Sequence, residues 1–323
     1  MVQHPEMTTF RSFGEVPHAS HVVSIGTFDG VHLGHQHLLN RARDRALDLD
    51  VPLLVVTFEP PPSKVIRPES FPGRLVTAER KLDLLRVQGI PSTLVLDFTT
   101  DLMTMTPEAF LQELHDAAHP VELWVGEEFA LGHHRRGNVE RLTKIGAELG
   151  IQLHAVARVT HDRQVVSSSR IREHVLAGNA QAALDLLGHP FQVAGVVIEG
   201  AKIGRTIGYP TANVEPSPDL VALPDGIYVS LAGLPGEPVD RPAMTYIGKR
   251  PALNTGNRLI ETHLLDFSGD LNGMNLATDI LARLRPDSTF SGVDELVRQL
   301  RDDERNTRTI LAQMTKPQFE VAT

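Results

Sequence analysis

The sequence predicts two domains, an α/β domain followed by an antiparallel β domain that closes with a helix. Three observations lead to this prediction. The chain has 323 residues, about twice the length of a typical domain. From Val22 to about Leu187 short apolar runs alternate with amphipathic segments, a pattern typical of β-α units around a mostly parallel sheet. Beyond Gly188 the apolar runs are separated by segments rich in Gly, Pro and Asn, which favours antiparallel strands.

The first half is predicted to contain five strands and four long helices. Its helix candidates carry apolar residues at helical spacing. In the last one Val139, Leu142, Ile145 and Leu149 recur on one face, so we predict that these side chains belong to the core. The strands are predicted at Val22–Gly26, Leu53–Phe58, Ser92–Leu96, Leu123–Gly126 and Leu153–Val159, and the helices at His35–Leu49, Ala78–Gln88, Pro107–Ala117 and Val139–Leu149.

The second half is predicted to form an antiparallel sheet or barrel with one helix packed on it. Its last segment places Leu296, Leu300 and Ile310 among dense charges, as in a helix with one buried face. We place the domain boundary near Gly188–Pro190, which gives domains 1–188 and 189–323. The strands are predicted at Gln192–Glu199, Gly226–Ala232, Ala243–Ile247, Leu259–Asp266 and Leu276–Arg283, and the helix at Val293–Met314.

Composition excludes several classes of partner and chemistry. The chain is 41% hydrophobic and 22% charged with a net charge of −9, so we expect a globular protein that folds without an obligate protein partner and binds neither nucleic acid nor an anionic membrane. The absence of cysteine excludes disulfides, thiolate catalysis and Cys-based zinc sites, and fits a reducing cytoplasm. Residues Met1–Arg11 do not resemble a signal peptide, and no segment is apolar enough to predict a membrane-spanning helix.

The segment SIGTFDGVHLGHQHLL, Ser24–Leu39, leads from the first predicted strand into the first helix. Anions bind at this position in α/β folds, because helix N-terminal amides and the helix dipole favour phosphate. His32 and His35 are three residues apart, so both imidazoles can face one phosphate. Alternatively, they cap the helix or lie on its surface. His37 points elsewhere on the helix and no carboxylate completes a ligand set, so a metal is not expected here.

A second phosphate-binding candidate is VSSSRIREHVLAGN, Val166–Asn179. Hydroxyl and guanidinium groups can hold triphosphate oxygens at a helix start. Alternatively, the segment is an N-capped helix with two exposed arginines. The polar side chains concerned are Ser167, Ser168, Ser169, Arg170 and Arg172.

In the second half the segment VVIEGAKIGRTIGYPTANVEP, Val196–Pro216, combines glycines with a basic pair. Such glycines let backbone amides approach a phosphate, although alone they favour a kinked β-hairpin turn, and no Gly-Lys-Ser or Gly-Lys-Thr marks a Walker A loop. Thr211 and Asn213 place two oxygen donors on one face of an extended run, where they can ligate Mg²⁺ together with ATP phosphates. The glycines and the basic pair are Gly200, Gly204, Gly208, Lys202 and Arg205.

These segments resemble one known family. His32-Leu33-Gly34-His35 is similar to the HxGH element of nucleotidyltransferases, and GTFDGVHLGH narrows the resemblance to the FMN adenylyltransferase domain of prokaryotic bifunctional FAD synthetases. Val166–Asn179 looks like the second nucleotide-binding element of that domain. Val196–Pro216 resembles the riboflavin kinase signature, and the match continues through Leu223–Tyr228, Ile247–Pro251, Ile260–Phe267, Leu284–Pro286 and Phe290.

The resemblance implies an α/β Rossmann-like nucleotidyltransferase domain, then an antiparallel β-barrel riboflavin kinase domain with a C-terminal helix. It implies phosphorylation of riboflavin to FMN and adenylylation of FMN to FAD, with ATP as co-substrate and Mg²⁺ as cofactor. His32 and His35 are implied to stabilise charge on the transferring and leaving phosphates, since the FMN phosphate is itself the nucleophile. Glu261 is implied to be the base that accepts the riboflavin hydroxyl proton, the alternative being a solvent-facing strand residue.

The resemblance also assigns binding residues. Asp29 either orients ligands or only closes the turn, and Arg285 contacts flavin or nucleotide or forms a structural ion pair. The implied metal ligands are Thr211 and Asn213, and the implied flavin-binding residues are Asp29, Glu128, Phe129 and Arg285. The implied ATP-binding residues are Gly26, Phe28, Gly34, Ser168, Ser169, Arg170, Arg172, Gly200, Gly204 and Arg205.

Several positions depart from the family pattern. Pro61 stands where the family has His, and Tyr246 and Asn272 stand where Asn and Tyr are common. In the Gly126–Gly132 segment Glu128, Ala130 and Leu131 stand for Asp, Arg and Phe. Two alternatives follow: a riboflavin kinase with a weakened or inactive adenylyltransferase domain, and a non-catalytic flavin-binding regulator. The intact catalytic and metal-ligating positions argue against the regulator.

Overall fold

The computed structural model describes residues 7–200, 203–249 and 258–314. These residues form two compact units. The first unit contains the chain up to Pro72 and Ala78–Ser167, and the second contains Gly73–Thr77 and the chain from Ser168 onward. No helix in the described ranges has the length and apolar character that a membrane crossing requires.

The strands of the first unit are β1 (Thr8–Phe10), β2 (His21–Ile25), β3 (Leu53–Glu59), β4 (Ser92–Asp97), β5 (Pro120–Gly126), β6 (Ala130–Leu131), β7 (Gly137–Asn138), β8 (Gln152–Val156), β9 (Thr160–His161) and β10 (Gln164–Val165). Six of them form a sheet in the order β1-β4-β3-β2-β5-β8, and every pairing in it is parallel. The remaining four form two small antiparallel pairs, β6 with β7 and β9 with β10.

The helices of the first unit are α1 (Leu33–Asp48), α2 (Pro62–Ile66), α3 (Ala78–Val87), α4 (Thr100–Thr104), α5 (Pro107–Ala118) and α6 (Val139–Glu148). Helix α6 begins where the Asn138 side chain accepts the Arg141 backbone N–H, a favourable N-cap. Leu142 and Ile145 are buried in the hydrophobic core, against which Val139 and Leu149 also pack. The core face predicted for this helix is therefore confirmed.

The second unit contains β11 (Phe191–Ile198), β12 (Ala212–Val214), β13 (Gly226–Gly233), β14 (Arg241–Lys249), β15 (Arg258–Leu264) and β16 (Asn275–Pro286), and the helices α7 (Ser168–Leu176), α8 (Ala180–Leu187), α9 (Ile203–Thr206) and α10 (Val293–Gln313). The six strands form a closed barrel in the order β11-β12-β15-β14-β13-β16. Every pairing in the barrel is antiparallel. The predicted fold class, a parallel α/β domain followed by an antiparallel barrel and a C-terminal helix, is confirmed.

Four buried hydroxyl groups lie side by side on the inner face of the barrel. The Ser230 hydroxyl lies 2.7 Å from that of Thr245, which lies 3.2 Å from the Thr262 hydroxyl. The Thr262 hydroxyl in turn lies 3.3 Å from that of Thr278. Because side chains alternate between the faces of a strand, the neighbours of Thr245 and Thr262 lie on the outer face of the wall. Helix α10 packs outside β14, β13 and β16.

Two findings modify the predicted organisation. Strand β8 ends at Val156 rather than at Val159, because the Val159 carbonyl instead accepts the Val166 N–H at 2.9 Å beside the β9–β10 pair. Helices α7 and α8 precede the boundary near Gly188–Pro190 yet group with the barrel, since α7 packs on α8 and α8 packs on β11 and β16.

Within the second unit, Gly73–Thr77 pairs with a segment that lies almost 150 residues later in the chain. Arg74 and Leu220 form a parallel bridge. The Arg74 N–H donates to the Asp219 carbonyl at 2.8 Å, and the Val221 N–H donates to the Arg74 carbonyl at 3.0 Å. A short piece of the first half of the sequence is therefore part of the second unit.

Candidate active sites

In the first unit a tight turn connects β2 to α1. Strand β2 is fully buried and ends at Ile25, and α1 begins at Leu33. Phe28, Gly30 and Val31 have φ angles of 47°, 84° and 39°, a backbone region that residues other than glycine rarely occupy. Phe28 and Val31 are nevertheless completely buried, so their packing holds the turn in this strained backbone conformation.

The turn brings His32 and His35 together. The His32 ring stacks on the His35 ring with centroids 3.6 Å apart and planes 17° apart. His32 is also the N-cap of α1, and its Nδ1 accepts the His35 backbone N–H at 3.4 Å. Gly34 makes room for this arrangement, since a Cβ there would lie 3.2 Å from the His32 ring. The capping alternative is therefore correct for His32, and the two imidazoles are also brought side by side.

His35 is held in its neutral form. Burial, followed by the neighbouring His32 and Lys81, lowers the pKa of His35 well below its usual 6.5. Its Nδ1 is buried and has no hydrogen-bond partner among the described residues. The Phe28 ring meets the His35 ring edge-on, with 5.3 Å between the two centroids. At neutral pH, His35 therefore presents an uncharged imidazole.

Lys81 is a buried cation that the sequence did not reveal. It lies on α3 and is 2% exposed. Its Nζ lies 2.7 Å from Glu59 Oε1 and donates to the Thr57 hydroxyl and the Phe58 carbonyl, both at 3.1 Å. No sequence signal distinguishes it, because a lysine within a helical pattern is ordinarily solvent-exposed.

The other residues assigned to this turn have distinct positions. Gly26 lies against Phe28, since a Cβ on Gly26 would lie 2.9 Å from that ring. Asp29 is half-buried in the turn. Pro61, the departure from the family pattern, is the N-cap of α2 and makes no side-chain capping hydrogen bond there.

The flavin-binding candidates Glu128 and Phe129 follow β5. The Arg158 guanidinium binds Glu128 through two nitrogens, at 2.8 and 2.9 Å, and also contacts Glu127 at 3.2 Å. Phe129 is half-buried and packs against the hydrophobic core, as does Leu131. Sequence reasoning did not identify Arg158.

The Val166–Asn179 segment belongs to the second unit from Ser168 onward, and Ser168 is the first residue of α7. Ser169 is exposed, while Ser168 and Arg170 are half-buried. The Arg172 Nε donates to the Gly73 carbonyl at 2.7 Å. Arg172 therefore has a backbone partner within this unit, in contrast to the exposed-arginine alternative.

In the barrel the predicted metal ligands and the predicted base lie together. Asn213 and Glu261 are directly opposite each other in the β12–β15 pairing, and they are 6% and 7% exposed. The Thr211 hydroxyl donates to Glu261 Oε2 at 3.3 Å. Glu261 is thus a largely buried carboxylate on the outer face of the wall, and not the solvent-facing residue of the alternative.

A cavity of about 380 Å³ is lined by the glycine-rich segment and by β12. Gly200 packs directly on the Asn213 amide, since a Cβ at Gly200 would lie 2.7 Å from Asn213 Cγ. Lys202 lies outside the described residues, as does the Arg250-Pro251 pair. The predicted residues that line the cavity are Gly200, Gly204, Arg205, Thr211 and Asn213.

Comparison with known proteins covers both units. The family model described as FAD synthetase matches residues 15–170, and the one described as riboflavin kinase matches residues 187–311. The bifunctional riboflavin kinase/FMN adenylyltransferase of Escherichia coli K12 is 33% identical over 308 residues, which is 95% of this chain and 97% of that protein. The chain belongs to the family of bifunctional riboflavin kinase/FMN adenylyltransferases. The resemblance found in the sequence motifs is thereby confirmed.

Other relatives agree with this assignment to the bifunctional family. The bifunctional riboflavin kinase/FMN adenylyltransferase of Pseudomonas fluorescens is 35% identical over 297 residues, covering 91% of this chain and 94% of that protein. A crystal structure described as a macrolide-efflux protein from Streptococcus pneumoniae has a TM-score of 0.84 and 28% sequence identity. The match covers 94% of this chain and 98% of the chain in that structure. That structure therefore supports the fold assignment.

The chemistry of the barrel site suits Mg²⁺. Magnesium prefers hard oxygen ligands, and the site offers the Thr211 hydroxyl and the Asn213 amide oxygen, which lie beside the Glu261 carboxylate. Asn213 Oδ1 is buried and has no hydrogen-bond partner within the part of the chain that the structure describes, as expected of a group that binds a ligand. No set of three or more His, Cys, Asp or Glu side chains in that part is arranged for a metal.

The structure also gives the partners of Tyr246, which departs from the family pattern, and of Arg285, whose role the sequence left open. Tyr246 lies opposite Glu261 in the β14–β15 pairing and donates to Asp287 at 3.1 Å. Burial, with Asp287 next, raises the pKa of Tyr246 to about 12, so the phenol keeps its proton and does not compete with Glu261 as a base. Arg285 binds Asp303 through two nitrogens, at 2.8 and 3.0 Å, which is the structural ion pair left open by the sequence.

Proposed function

We propose that this chain phosphorylates riboflavin to FMN at the barrel and adenylylates FMN to FAD with its N-terminal domain, using ATP for both reactions. The observation that carries the proposal is the grouping of Thr211, Asn213 and Glu261 at one buried place on the barrel wall. The stacked His32–His35 pair at a helix start supports the second activity. Functionally, we propose residues 1–188 as the adenylyltransferase domain and residues 189–323 as the kinase domain.

In the proposed kinase step Glu261 accepts the proton of the terminal ribityl hydroxyl. The freed oxygen forms a bond to the γ-phosphorus of ATP while the bond from that phosphorus to the β-phosphate oxygen breaks, and ADP leaves. Glu261 suits this role because it is desolvated and held by Thr211. Thr211 and Asn213 would hold Mg²⁺, which when bound neutralises charge on the ATP phosphates. Gly200, Gly204 and Arg205 line the cavity beside them and would receive the phosphates.

In the proposed adenylyl transfer the FMN phosphate oxygen attacks the α-phosphorus of ATP and pyrophosphate leaves. No base is needed, because the attacking phosphate is already anionic. His32 and His35 orient the phosphates and stabilise the charge that develops on them, which is the main catalytic contribution available to such a site. Being neutral, His35 donates one N–H without an added charge.

The proposed binding residues are those that the family resemblance implies. Gly26, Phe28 and Gly34 shape the turn that receives ATP, and Asp29, Glu128 and Phe129 are proposed to contact the flavin. Arg285 is proposed to act on the flavin only through its effect on the barrel wall, since Asp303 already engages it. The side chains proposed to bind ATP from α7 are Ser168, Ser169, Arg170 and Arg172. Because both reactions consume ATP, we propose a cytoplasmic location.

A second candidate is a riboflavin kinase whose adenylyltransferase domain is weakened or inactive. Pro61 cannot donate a hydrogen bond in place of the usual histidine, and Leu131 packs against the core. Both features reduce the polar groups available to a flavin in the first unit.

Chromatography of flavins separates the two candidates. Purified protein is incubated with ATP and Mg²⁺, once with riboflavin and once with FMN. FAD in both reactions supports the bifunctional proposal. FMN that accumulates from riboflavin without conversion to FAD supports the kinase alone, and no conversion of either flavin would contradict both candidates.

A further inference from the structure

The buried ammonium of Lys81 connects two segments of the first unit. Glu59 Oε1 lies 2.7 Å from Nζ, and Thr57 and Phe58 accept hydrogen bonds from it at 3.1 Å. All three of these residues belong to the end of β3. The ammonium also donates to the Thr27 carbonyl at 3.5 Å, in the turn between β2 and α1. A buried charge with this many partners is specifically placed, because an isolated one would be strongly unfavourable.

These contacts continue to the catalytic histidines. The Thr57 hydroxyl, which accepts from Lys81, donates to the same Thr27 carbonyl at 3.3 Å. The next residue is Phe28, whose ring is completely buried and meets the His35 ring edge-on. Lys81, Thr57, Thr27, Phe28 and His35 thus form a continuous series of contacts from α3 to the start of α1.

We propose that Lys81 is a positioning residue for adenylyl transfer: it holds the β2–α1 turn against the end of β3 and so fixes the His35 ring at the place where the phosphates are received. Lys81 acts through the turn and not by touching substrate. This inference rests on the proposed adenylyltransferase activity. It assigns a role to a buried group that the proposed chemical step does not itself use.

The charge of Lys81 provides a second readout. Within the first unit, the ionisable groups around His35 are His32 and Lys81, with Glu59 paired to Lys81 and Asp29 in the same turn. Burial lowers the pKa of His35 most, and the positive charges of its neighbours lower it further. Removing the ammonium therefore raises the pKa of His35, whereas neutralising Glu59 lowers it. These opposite directions distinguish an electrostatic contact from simple packing.

The test measures FAD formation from FMN by full-length Lys81→Met, Lys81→Arg and Glu59→Gln. In Lys81→Met we expect kcat to fall about 10²-fold, the cost of misplacing a catalytic group by about 1 Å, with KM for FMN and ATP nearly unchanged. In the pH profile of FAD formation, the limb that reports the pKa of His35 should move to higher pH in Lys81→Met and to lower pH in Glu59→Gln. Lys81→Arg should restore most of kcat, because it keeps the charge and can donate to the same acceptors.

Riboflavin phosphorylation by the same samples is the internal control and should be unchanged. Lys144→Met, which removes an exposed lysine paired with Glu140 on α6, is the matched control and should keep full adenylylation. Unchanged kcat in Lys81→Met overturns the inference, as does a loss with an unmoved pH limb and no rescue by arginine. If Lys81→Met does not fold, the inference is tested with Glu59→Gln alone. It is overturned if the limb of the pH profile that reports the pKa of His35 does not move in that variant. A wild-type chain that makes FMN but no FAD instead rejects the proposed adenylyltransferase.

Discussion

Asn213 lies directly opposite Glu261 across two paired strands of the barrel, and both side chains are more than nine-tenths buried. The register of the β12–β15 pair therefore sets the distance between a proposed metal ligand and the proposed base. Thr211 immediately precedes β12 and adds a hydrogen bond to Glu261. Asn213 and Glu261 are held more firmly than residues of a loop would be, because the strands of a closed barrel are hydrogen-bonded to neighbours on both sides.

Glu261→Gln should abolish most riboflavin phosphorylation and leave adenylylation of FMN intact. The amide keeps the size of the side chain but cannot accept the hydroxyl proton, and loss of a general base costs about 10² to 10⁴ in rate. Steady-state FMN formation measures this effect. Glu237→Gln, which alters an exposed carboxylate paired with Arg241, should keep full activity. Kinase turnover that survives Glu261→Gln would reject the proposed base.

Gly200→Ala should raise the Mg²⁺ concentration that the kinase needs. The added Cβ would overlap the Asn213 amide and displace a proposed ligand, and disturbing a ligand's support costs about 10- to 100-fold in metal affinity. A Mg²⁺ titration of FMN formation gives the measurement. At Gly292 a Cβ meets no atom within 4 Å, so Gly292→Ala is the control. Equal Mg²⁺ dependence in both variants would contradict the assignment of Asn213.

The first unit should lose stability as the pH falls below about 6.5, and His35 should account for part of that loss. The pKa of His35 is lower in the folded chain than its ordinary 6.5, so at acidic pH the unfolded state binds a proton that the folded state does not. The free energy of unfolding therefore decreases as the pH falls through 6.5. In His35→Gln this decrease should be smaller.

Fluorescence of Trp124 is suited to this measurement, because it is the chain's single tryptophan and is buried in β5. Denaturant titrations at several pH values give the free energy of unfolding for wild type and variant. His37→Gln, at an exposed position on the same helix, is the control. If the free energy of unfolding of His35→Gln falls as much on acidification as that of the wild type, the pKa of His35 is not lowered in the folded state.

Substitutions at Arg285 and Asp303 distinguish a structural role of Arg285 from a role in flavin binding. Asp303 is 1% exposed and is held by two nitrogens of Arg285, so breaking the pair should cost about 3–5 kcal/mol. We expect Arg285→Met and Asp303→Asn to lower the free energy of unfolding of the barrel by similar amounts, and the double variant to lose less than their sum. If Arg285 instead contacts riboflavin, Arg285→Met alone would raise the KM for riboflavin while stability stayed nearly constant.

The parts of the fold that could be predicted have a strong local pattern. The buried runs that became β2, β3, β4 and β5 and the helical spacing of α6 are visible in the sequence because each element faces one core along its whole length. Strand β12 was not predicted: it is three residues long and has Asn213 at its centre. Its place in the barrel depends on pairing with β11 and β15, and no local sequence pattern carries that information.

The same distinction applies to the candidate sites. Motifs with a recognisable chemical purpose identified His32, His35, Thr211 and Asn213, whereas Glu261 was identified only through the resemblance to riboflavin kinases. Lys81 and Arg158 were missed, since their partners Glu59 and Glu128 lie 22 and 30 positions away. The choice between flavin contact and ion pair at Arg285 likewise required the position of α10, which brings Asp303 to it.

The segment Gly73–Thr77 has a consequence for how the chain can be divided. Its backbone pairs with Asp219 and Val221, so the second unit is assembled from two separate stretches of sequence. No single proteolytic cut releases both units whole: cleavage after Ser167 leaves Gly73–Thr77 on the N-terminal fragment and strips the barrel fragment of a bridge. The same argument applies to gene fission. A gene split at any one point yields at least one product with unpaired backbone, so this architecture favours inheritance of the two units as a single polypeptide.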